Sequence, residues 1–262
     1  MTAFRIPFPK GKALTGALLF GILAFFATYA LAYWGLVSAP AAMGAVAFAT
    51  TPLITLFLAA RVGLERVHTR GLAGAGLALA GTGVAFFEQV RLEVPPTAIV
   101  ALLLAAGFGA AAGVVVKRAP KAHPVGVNAV AIPVGTGLLF VTSFVAGEAH
   151  PVPSASTTWA ALGWLVASTV LAFVLMVWVL GRWSASASSY SSVMTPFVTF
   201  VVASSLAGEG ITLAFVLGSL LVILGVYIGV LSRKKAGAEA REARALELRG
   251  VEEQRELDES SR

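Results

Sequence analysis

Long uncharged apolar stretches follow one another along the chain, and they constrain its fold more than any other feature. Each is long enough, or nearly so, to cross the hydrocarbon core of a bilayer, which takes about 20 residues of helix. They are residues 13–37, 39–60, 71–87, 97–116, 124–146, 158–181, 185–207 and 211–231, and none contains Asp, Glu, Lys, Arg or His. A helix satisfies its own backbone in lipid, whereas barrel strands would alternate in polarity. The sequence therefore predicts an all-α polytopic membrane protein with eight transmembrane helices.

The distribution of charge gives an orientation. Only 12% of the residues are charged, about half the share in a soluble domain. If residues 1–12 are cytoplasmic, thirteen basic residues in or beside the connections fall on the cytoplasmic side and only Arg91 falls outside. Short cytoplasmic loops carry such an excess of Lys and Arg. We therefore expect a multi-pass protein of the cell membrane with both termini in the cytoplasm. The net charge of +6 reflects topology and predicts no nucleic-acid partner.

The chain contains nearly the same segment twice. "TPLITLFLAARVGLE" begins at Thr51, and "TPFVTFVVASSLAGE" begins 144 residues later at Thr195. The same displacement pairs further residues, namely Leu36 with Leu180, Glu65 with Glu209, Gly74 with Gly218 and Gly81 with Gly225. It also carries the span 13–37 onto 157–181, five spans further along. An odd displacement reverses the orientation of equivalent helices, so the sequence predicts an inverted repeat, a construction that many secondary transporters use.

The repeat divides the chain unevenly. A cytoplasmic segment, 1–12, precedes a first copy of three helices, 13–87, and a second copy of five helices, 97–231. The tail, 232–262, holds eight basic and eight acidic residues. Mixed charges of this kind usually keep a segment in water. The tail is therefore read as a solvated cytoplasmic extension, with a regulatory or partner-binding role as the alternative.

Both copies show a helix with a T-P-x-x-x pattern, then a polar turn carrying Glu, then a last helix rich in Gly. This arrangement resembles the EamA family of the drug/metabolite transporter superfamily over about residues 5–231. The resemblance implies a carrier of ten helices in two inverted five-helix repeats, with cytoplasmic termini. It also implies a central cavity that passes metabolites, often amino-acid-like, out of the cell. We therefore expect a secondary transporter that exports a small metabolite by alternating access.

The chain departs from the family pattern because its first copy lacks two helices. By the repeat, residue 1 corresponds to residue 145, so about sixty residues would stand before Met1 in a ten-helix protein. Two explanations are open. Either the start codon lies further upstream, or an eight-helix form closes the gap by pairing with a second copy as a homodimer.

Prolines and neutral polar residues inside the spans are the candidates for a substrate site. A proline frees one backbone carbonyl, which can face a substrate or can accompany a simple kink. The segment "SASASSYSSVMT" begins a helix whose N-terminus can receive a carboxylate, although its serines can instead satisfy the helix backbone. The candidate residues are Tyr29, Thr50, Pro52, Asn128, Ser168, Thr169, Tyr190, Thr195 and Pro196.

The sequence gives no reason to expect catalysis or a cofactor. The three histidines, His68, His123 and His150, lack a second ligand at metal-binding spacing, and the chain has no cysteine. No set of nucleophile, base and orienting group can be assembled from them. We therefore predict no enzyme, no metal and no cofactor, with a small-molecule substrate and the lipid bilayer as partners. The alternatives from other classes are a membrane scaffold or assembly partner that does not transport, and a membrane-embedded enzyme.

Overall fold

The computed structural model describes residues 7–87, 94–149, 152–207 and 212–231, with backbone alone at 199–200, 202–207 and 231. The predictions for Arg91, His150, Glu209 and the tail 232–262 lie outside the described residues. All regular secondary structure within the described ranges is helical. The predicted all-α class is therefore confirmed.

The described residues form ten helices, numbered in chain order. They are α1 Lys12–Leu36, with π-helical hydrogen bonding at Gly21–Ala27, α2 Ala41–Phe48, α3 Thr51–Arg61, α4 Thr69–Ala85, α5 Pro96–Arg118, α6 Pro124–Val145, α7 Ser156–Arg182, α8 Ala185–Ser189, α9 Ser191–Ala207 and α10 Leu213–Val226, which a π-helical turn, Tyr227–Leu231, continues.

Six of the eight predicted spans are helices long and apolar enough to cross a membrane: α1, the α2–α3 pair, α5, α6, α7 and α10. The other two, α4 and α9, are helical over 17 residues each. At 1.5 Å per residue they are about 25 Å long, shorter than a hydrocarbon core of about 30 Å. The described chain therefore gives six candidate spans, and the count of eight stays a prediction.

The second span differs from its prediction because it is not one continuous helix. It is interrupted at Ala49 and Thr50, and Pro52 occupies the first turn of α3. Proline suits the first turn, where its missing N–H would have no intrahelical partner. Pro52 therefore lies near the middle of the second span, just after the interruption, whereas Pro196 lies inside α9.

Glycines allow α4 and α10 to pack with their backbones in contact. A Cβ atom added to Gly74 would lie 2.6 Å from the carbonyl oxygen of Gly225, and one added to Gly81 would lie 2.7 Å from that of Gly218. The order of these contacts makes the two helices antiparallel. Small residues are the usual means of such close approach between membrane helices.

Buried side chains form two main clusters within the described part of the chain. One cluster joins α2, α4, α9 and α10 and contains Phe86, Phe197 and Phe215. The other joins α1, α5, α6 and α7 and is built around Phe20 and Phe25. Aromatic rings fill both clusters because they bury a large apolar area each.

Helix α7 is far more exposed than α1, although the displacement of 144 residues makes the two equivalent. Each helix was compared over its own most apolar stretch of 18 residues. In α7, 6% of that stretch is buried, and in α1, 33% is buried. Phe20 of α1 is fully buried, whereas its equivalent in α7, Trp164, is 74% exposed. The reason is that α5 and α6 pack on α1, and the described chain has no equivalent pair on α7.

Candidate binding cavity

A cavity of about 460 Å³ lies among α1, α3, α5, α7, α8 and α9, with Phe48 of α2 at its edge. It combines a mainly apolar wall, which also contains Thr28, Thr51 and Thr55, with a serine-rich polar face. The polar face belongs to α8 and α9, and we call it the hydroxyl face. Its members are Ser188, Ser189, Ser191, Ser192 and Thr195.

The hydroxyl face presents oxygen atoms that accept hydrogen bonds. Each of its hydroxyl groups donates its proton to a carbonyl of the same chain segment, as when Ser191 donates to Ser188 at 2.9 Å and Thr195 donates to Ser191 at 2.8 Å. The other three donate in the same way at 2.7–2.9 Å. A hydroxyl has one proton and two lone pairs. The face therefore suits a ligand that carries N–H or O–H donors.

Aromatic side chains line other walls of the cavity. Tyr29 and Tyr33 lie on one side of α1, with ring centroids 5.7 Å apart, and both line the cavity. Phe173 of α7 also lines it and packs against Phe25 with centroids 4.4 Å apart. Tyrosine hydroxyls can donate a hydrogen bond as well as accept one. The cavity thus offers apolar contact together with phenolic donors apart from the hydroxyl face.

A second cavity of about 550 Å³ adjoins the first, because both are lined by Leu36, Phe48, Ser192 and Thr195. It is almost wholly apolar and is bounded by α2, Phe86 and Pro196. The two cavities together extend from Ala24 of α1 to Phe86 beside α4.

A hydrogen bond between residues 144 positions apart lies where the two cavities meet. The hydroxyl of Ser192 lies 3.3 Å from the carbonyl oxygen of Phe48, a second acceptor for the single proton that it also directs to the carbonyl of Ser189 at 2.7 Å. Phe48 is the last residue of α2, so its carbonyl has no intrahelical donor, and Pro52, four residues later, has no N–H to supply one. The expected effect of Pro52 therefore reaches the cavity through Phe48 and not through the proline ring, which is buried in the first turn of α3.

The N-terminus of α8 is occupied by a carboxylate of the protein itself. Oε1 of Glu65 accepts a hydrogen bond from the backbone N–H of Ser186 at 3.0 Å, and Oε2 accepts one from the Ser186 hydroxyl. The side chain of Ser184 accepts from the N–H of Ala187. The serines of this segment thus satisfy the helix backbone, as one of the two interpretations of the sequence expected. The carboxylate at the helix start is Glu65.

The structure brings together some of the predicted site residues and separates others. Tyr29 and Thr195 line the first cavity, and Thr195 and Pro196 line the second. Thr50 donates to the carbonyl of Ala47 and lies outside both linings. Tyr190 is buried in the α2–α4–α9–α10 cluster, with its hydroxyl 3.4 Å from the Gly71 carbonyl.

The remaining candidates lie on α6 and α7. Asn128 is buried and donates to the carbonyls of Pro124 and Phe173, so it holds α6 against the backbone of a cavity residue. Ser168 bonds to its own helix, and Ser168 and Thr169 both lie on the exposed part of α7, away from both cavities. They were expected at a cavity because they are polar, but the described chain places no helix over that part of α7.

Sequence reasoning missed most of the hydroxyl face, although a signal for it exists. Ser188, Ser191, Ser192 and Thr195 recur at i, i+3, i+4 and i+7, the spacing of one helical face. Tyr33, Thr51 and Thr55 also line the first cavity. Within the described ranges, no three His, Asp or Glu side chains come together as metal ligands would.

The helices and cavities define a polytopic helical membrane protein with a partly polar cavity among its helices. A family model of EamA-like transporters matches residues 1–87 and 96–231. The chain therefore belongs to the EamA-like transporter family and is a membrane transporter.

Structural comparison agrees with this fold. A solved structure described as "Crystal structure of protein" matches with a TM-score of 0.69 at 19% identity, over 84% of this chain and 77% of the other. Among curated proteins, none matches the chain.

Proposed function

We propose that the protein exports a small, amino-acid-like metabolite across the cell membrane by alternating access, with both termini in the cytoplasm. The observation that carries the proposal is the hydroxyl face, which lines the same cavity among six helices as several aromatic side chains. The cavity volume of about 460 Å³ falls within the range of about 300–1,000 Å³ that small-molecule sites occupy.

The substrate class follows from the donors and acceptors of the cavity. The hydroxyl face presents lone pairs, which suit an ammonium group. Tyr29 can donate to a carboxylate from α1. The N-terminus of α8 is already bound to Glu65, so a substrate carboxylate is not expected there. Apolar contact with Phe173 and Met176 suits an aliphatic or aromatic side chain.

Two kinds of contact support an inverted repeat as the basis of the mechanism. The Ser192 to Phe48 hydrogen bond joins two positions that the displacement of 144 residues makes equivalent. The contact of Gly74 with Gly225 becomes, under the same displacement, the contact of Gly218 with Gly81, and both occur. A contact that is unchanged when equivalent positions of the two copies are exchanged is expected at a pseudo-two-fold axis. The rocking of two such halves about a central site is how many secondary transporters work.

Exposure of α7 supports pairing with a second copy. In a membrane, exposed apolar residues can simply face lipid, but Ser168 and Thr169 are polar and lie on this part of α7. Polar side chains in transmembrane helices often form hydrogen bonds across helix contacts. A homodimer in which α7 of each copy packs against the other would cover these residues.

The test of transport is efflux from proteoliposomes loaded with radiolabelled amino acids of several classes. Thr195→Val removes a cavity hydroxyl with little change in shape. Loss of one hydrogen bond of about 0.5–1.5 kcal/mol predicts efflux reduced about twofold to tenfold. Thr142→Val is the matched control, because Thr142 also donates to the carbonyl four residues earlier at 2.8 Å but faces no described cavity.

The proposal fails if efflux of every tested amino-acid class equals the leakage from loaded liposomes that contain no protein. It also fails if Thr142→Val slows efflux as much as Thr195→Val. Absence of efflux from a correctly folded, oriented preparation would favour the non-transporting scaffold.

A further inference from the structure

A third cavity lies at one end of the helices, apart from the two already described. Its volume is about 610 Å³, and it is formed by the start of α1, the end of α5, the α5–α6 connection and the end of α7. Four basic side chains line it. They are Lys117, Lys121, His123 and Arg182, and we call this space the basic cavity.

The basic side chains have different roles within the basic cavity. Nζ of Lys117 donates to the carbonyls of Leu180 at 2.7 Å and Trp183 at 2.6 Å, so it fixes the end of α7 against α5. Glu65 also attracts Lys117 electrostatically. Lys117 therefore shapes the cavity, and part of its charge is already compensated.

Lys121 and Arg182 supply charge that is available to a ligand. Both side chains are exposed. The guanidinium carbon of Arg182 lies 3.8 Å from the ring centroid of Trp178, which holds the group at the cavity wall. A guanidinium group carries five N–H donors in a planar fork that suits phosphate oxygens. Among the described lining residues there is no Asp or Glu to compete for these cations.

The rest of the lining indicates an amphipathic ligand. Apolar residues on α1, α5, α6 and α7 form the inner wall, including Ala17, Val127 and Val177. Trp178 is half-exposed beside Arg182, and tryptophan is enriched at the level of lipid headgroups. Helix α6 starts at Pro124 in the cavity wall without a side-chain cap, so its positive end adds to the field.

We propose that the basic cavity binds a phosphate group carried by an anionic phospholipid of the adjoining leaflet. The phosphate contacts Lys121 and Arg182, and the first methylene groups of the acyl chains contact the apolar wall. Basic pockets between transmembrane helices on the cytoplasmic side are suited to such headgroups. The site is independent of the proposed transport cavity, since the two linings share only Leu180.

The experiment is native mass spectrometry of the full chain in detergent, titrated with dioleoyl phosphatidylglycerol, with dioleoyl phosphatidylcholine or with glycerol 3-phosphate. We expect phosphatidylglycerol to bind at least about fivefold more tightly than phosphatidylcholine, since each basic contact contributes about that factor. Arg182→Gln and Lys121→Gln should each weaken phosphatidylglycerol binding about fivefold. Arg118→Gln is the matched control, because Arg118 also ends a helix and is exposed but does not line the cavity.

The proposal is overturned if the two phospholipids bind equally, or if Arg118→Gln weakens binding as much as Arg182→Gln does. It is also overturned if glycerol 3-phosphate binds as tightly as phosphatidylglycerol, which would assign the cavity to a soluble phosphate compound. Lys121 makes no described side-chain hydrogen bond, so Lys121→Gln tests the site even if Arg182→Gln does not fold.

Discussion

Replacing Gly74 by alanine should destabilise the protein through a single added methyl group. The new Cβ would lie 2.6 Å from both the Gly225 carbonyl oxygen and the Gly229 nitrogen, and 2.7 Å from the Gly229 Cα. These are backbone atoms, so α4 and α10 must move apart. Overpacking of this kind costs about 1–3 kcal/mol. The gain from removing a helical glycine, about 0.5–1 kcal/mol, offsets part of that cost.

Gly76→Ala is the control, since Gly76 lies on the same helix and has nothing within 4 Å of an added Cβ. Gly76→Ala should keep the stability gained by removing a helical glycine, because its added Cβ overlaps no atom of α10. The two variants should therefore differ by about 2 kcal/mol, with Gly74→Ala melting below the parent protein and Gly76→Ala at or above it. The measurement is thermal unfolding of both variants in the same detergent. Equal melting temperatures would refute the close packing of α4 on α10.

Three further predictions concern topology, charge and assembly. A cysteine at Glu148 should react with an impermeant thiol reagent from outside the cell and one at Lys121 should not; the opposite pattern would reverse the orientation. Glu65→Gln keeps an acceptor for the N–H of Ser186, so transport should persist with an unchanged response to a pH gradient; complete loss of transport in a folded protein would contradict this. A cysteine at Trp164 should crosslink two copies in native membranes, and a strictly monomeric product would exclude a dimer through α7.

Much of the fold could be predicted because it depends on local composition. An uncharged apolar stretch must be helical in lipid, so the helices follow from residue type alone. The interruption at Ala49 and Thr50 could not be predicted in detail, since a proline is compatible with a kink as well as with a new helix start. Which outcome occurs depends on whether neighbours satisfy the freed carbonyl. Here Ser192, distant in sequence, shares its hydroxyl proton between the carbonyls of Ser189 and Phe48.

The cavity was predicted less completely because its lining depends on which helices are neighbours. Tyr29 and Thr195 were identified from polarity within a span, and both reach the cavity. Ser168 and Thr169 have the same polarity, but they lie on exposed α7 because nothing in the described chain covers it. The contact of Glu65 with Ser186 could not be predicted either, since the two residues are 121 positions apart in the sequence. Polarity identifies candidates, and tertiary packing selects among them.

If the protein alternates between two access states as proposed, the contact of Ser192 with Phe48 affects the balance between them. In an ideally symmetric carrier, each half would take up the other half's arrangement when the access state changes. Every contact would then be replaced by an equivalent contact of equal energy. This bond has no such counterpart, because phenylalanine has no side-chain donor with which Phe48 could bond to the carbonyl of Ser192. Because the Ser192 proton stays bonded to Ser189 when this contact opens, the contact is worth only about 0.5 kcal/mol, the low end for a hydrogen bond, and this corresponds to a population ratio of about twofold. The resting protein would therefore favour the state in which the bond is formed, and bound substrate would have to supply at least that much free energy to favour the other.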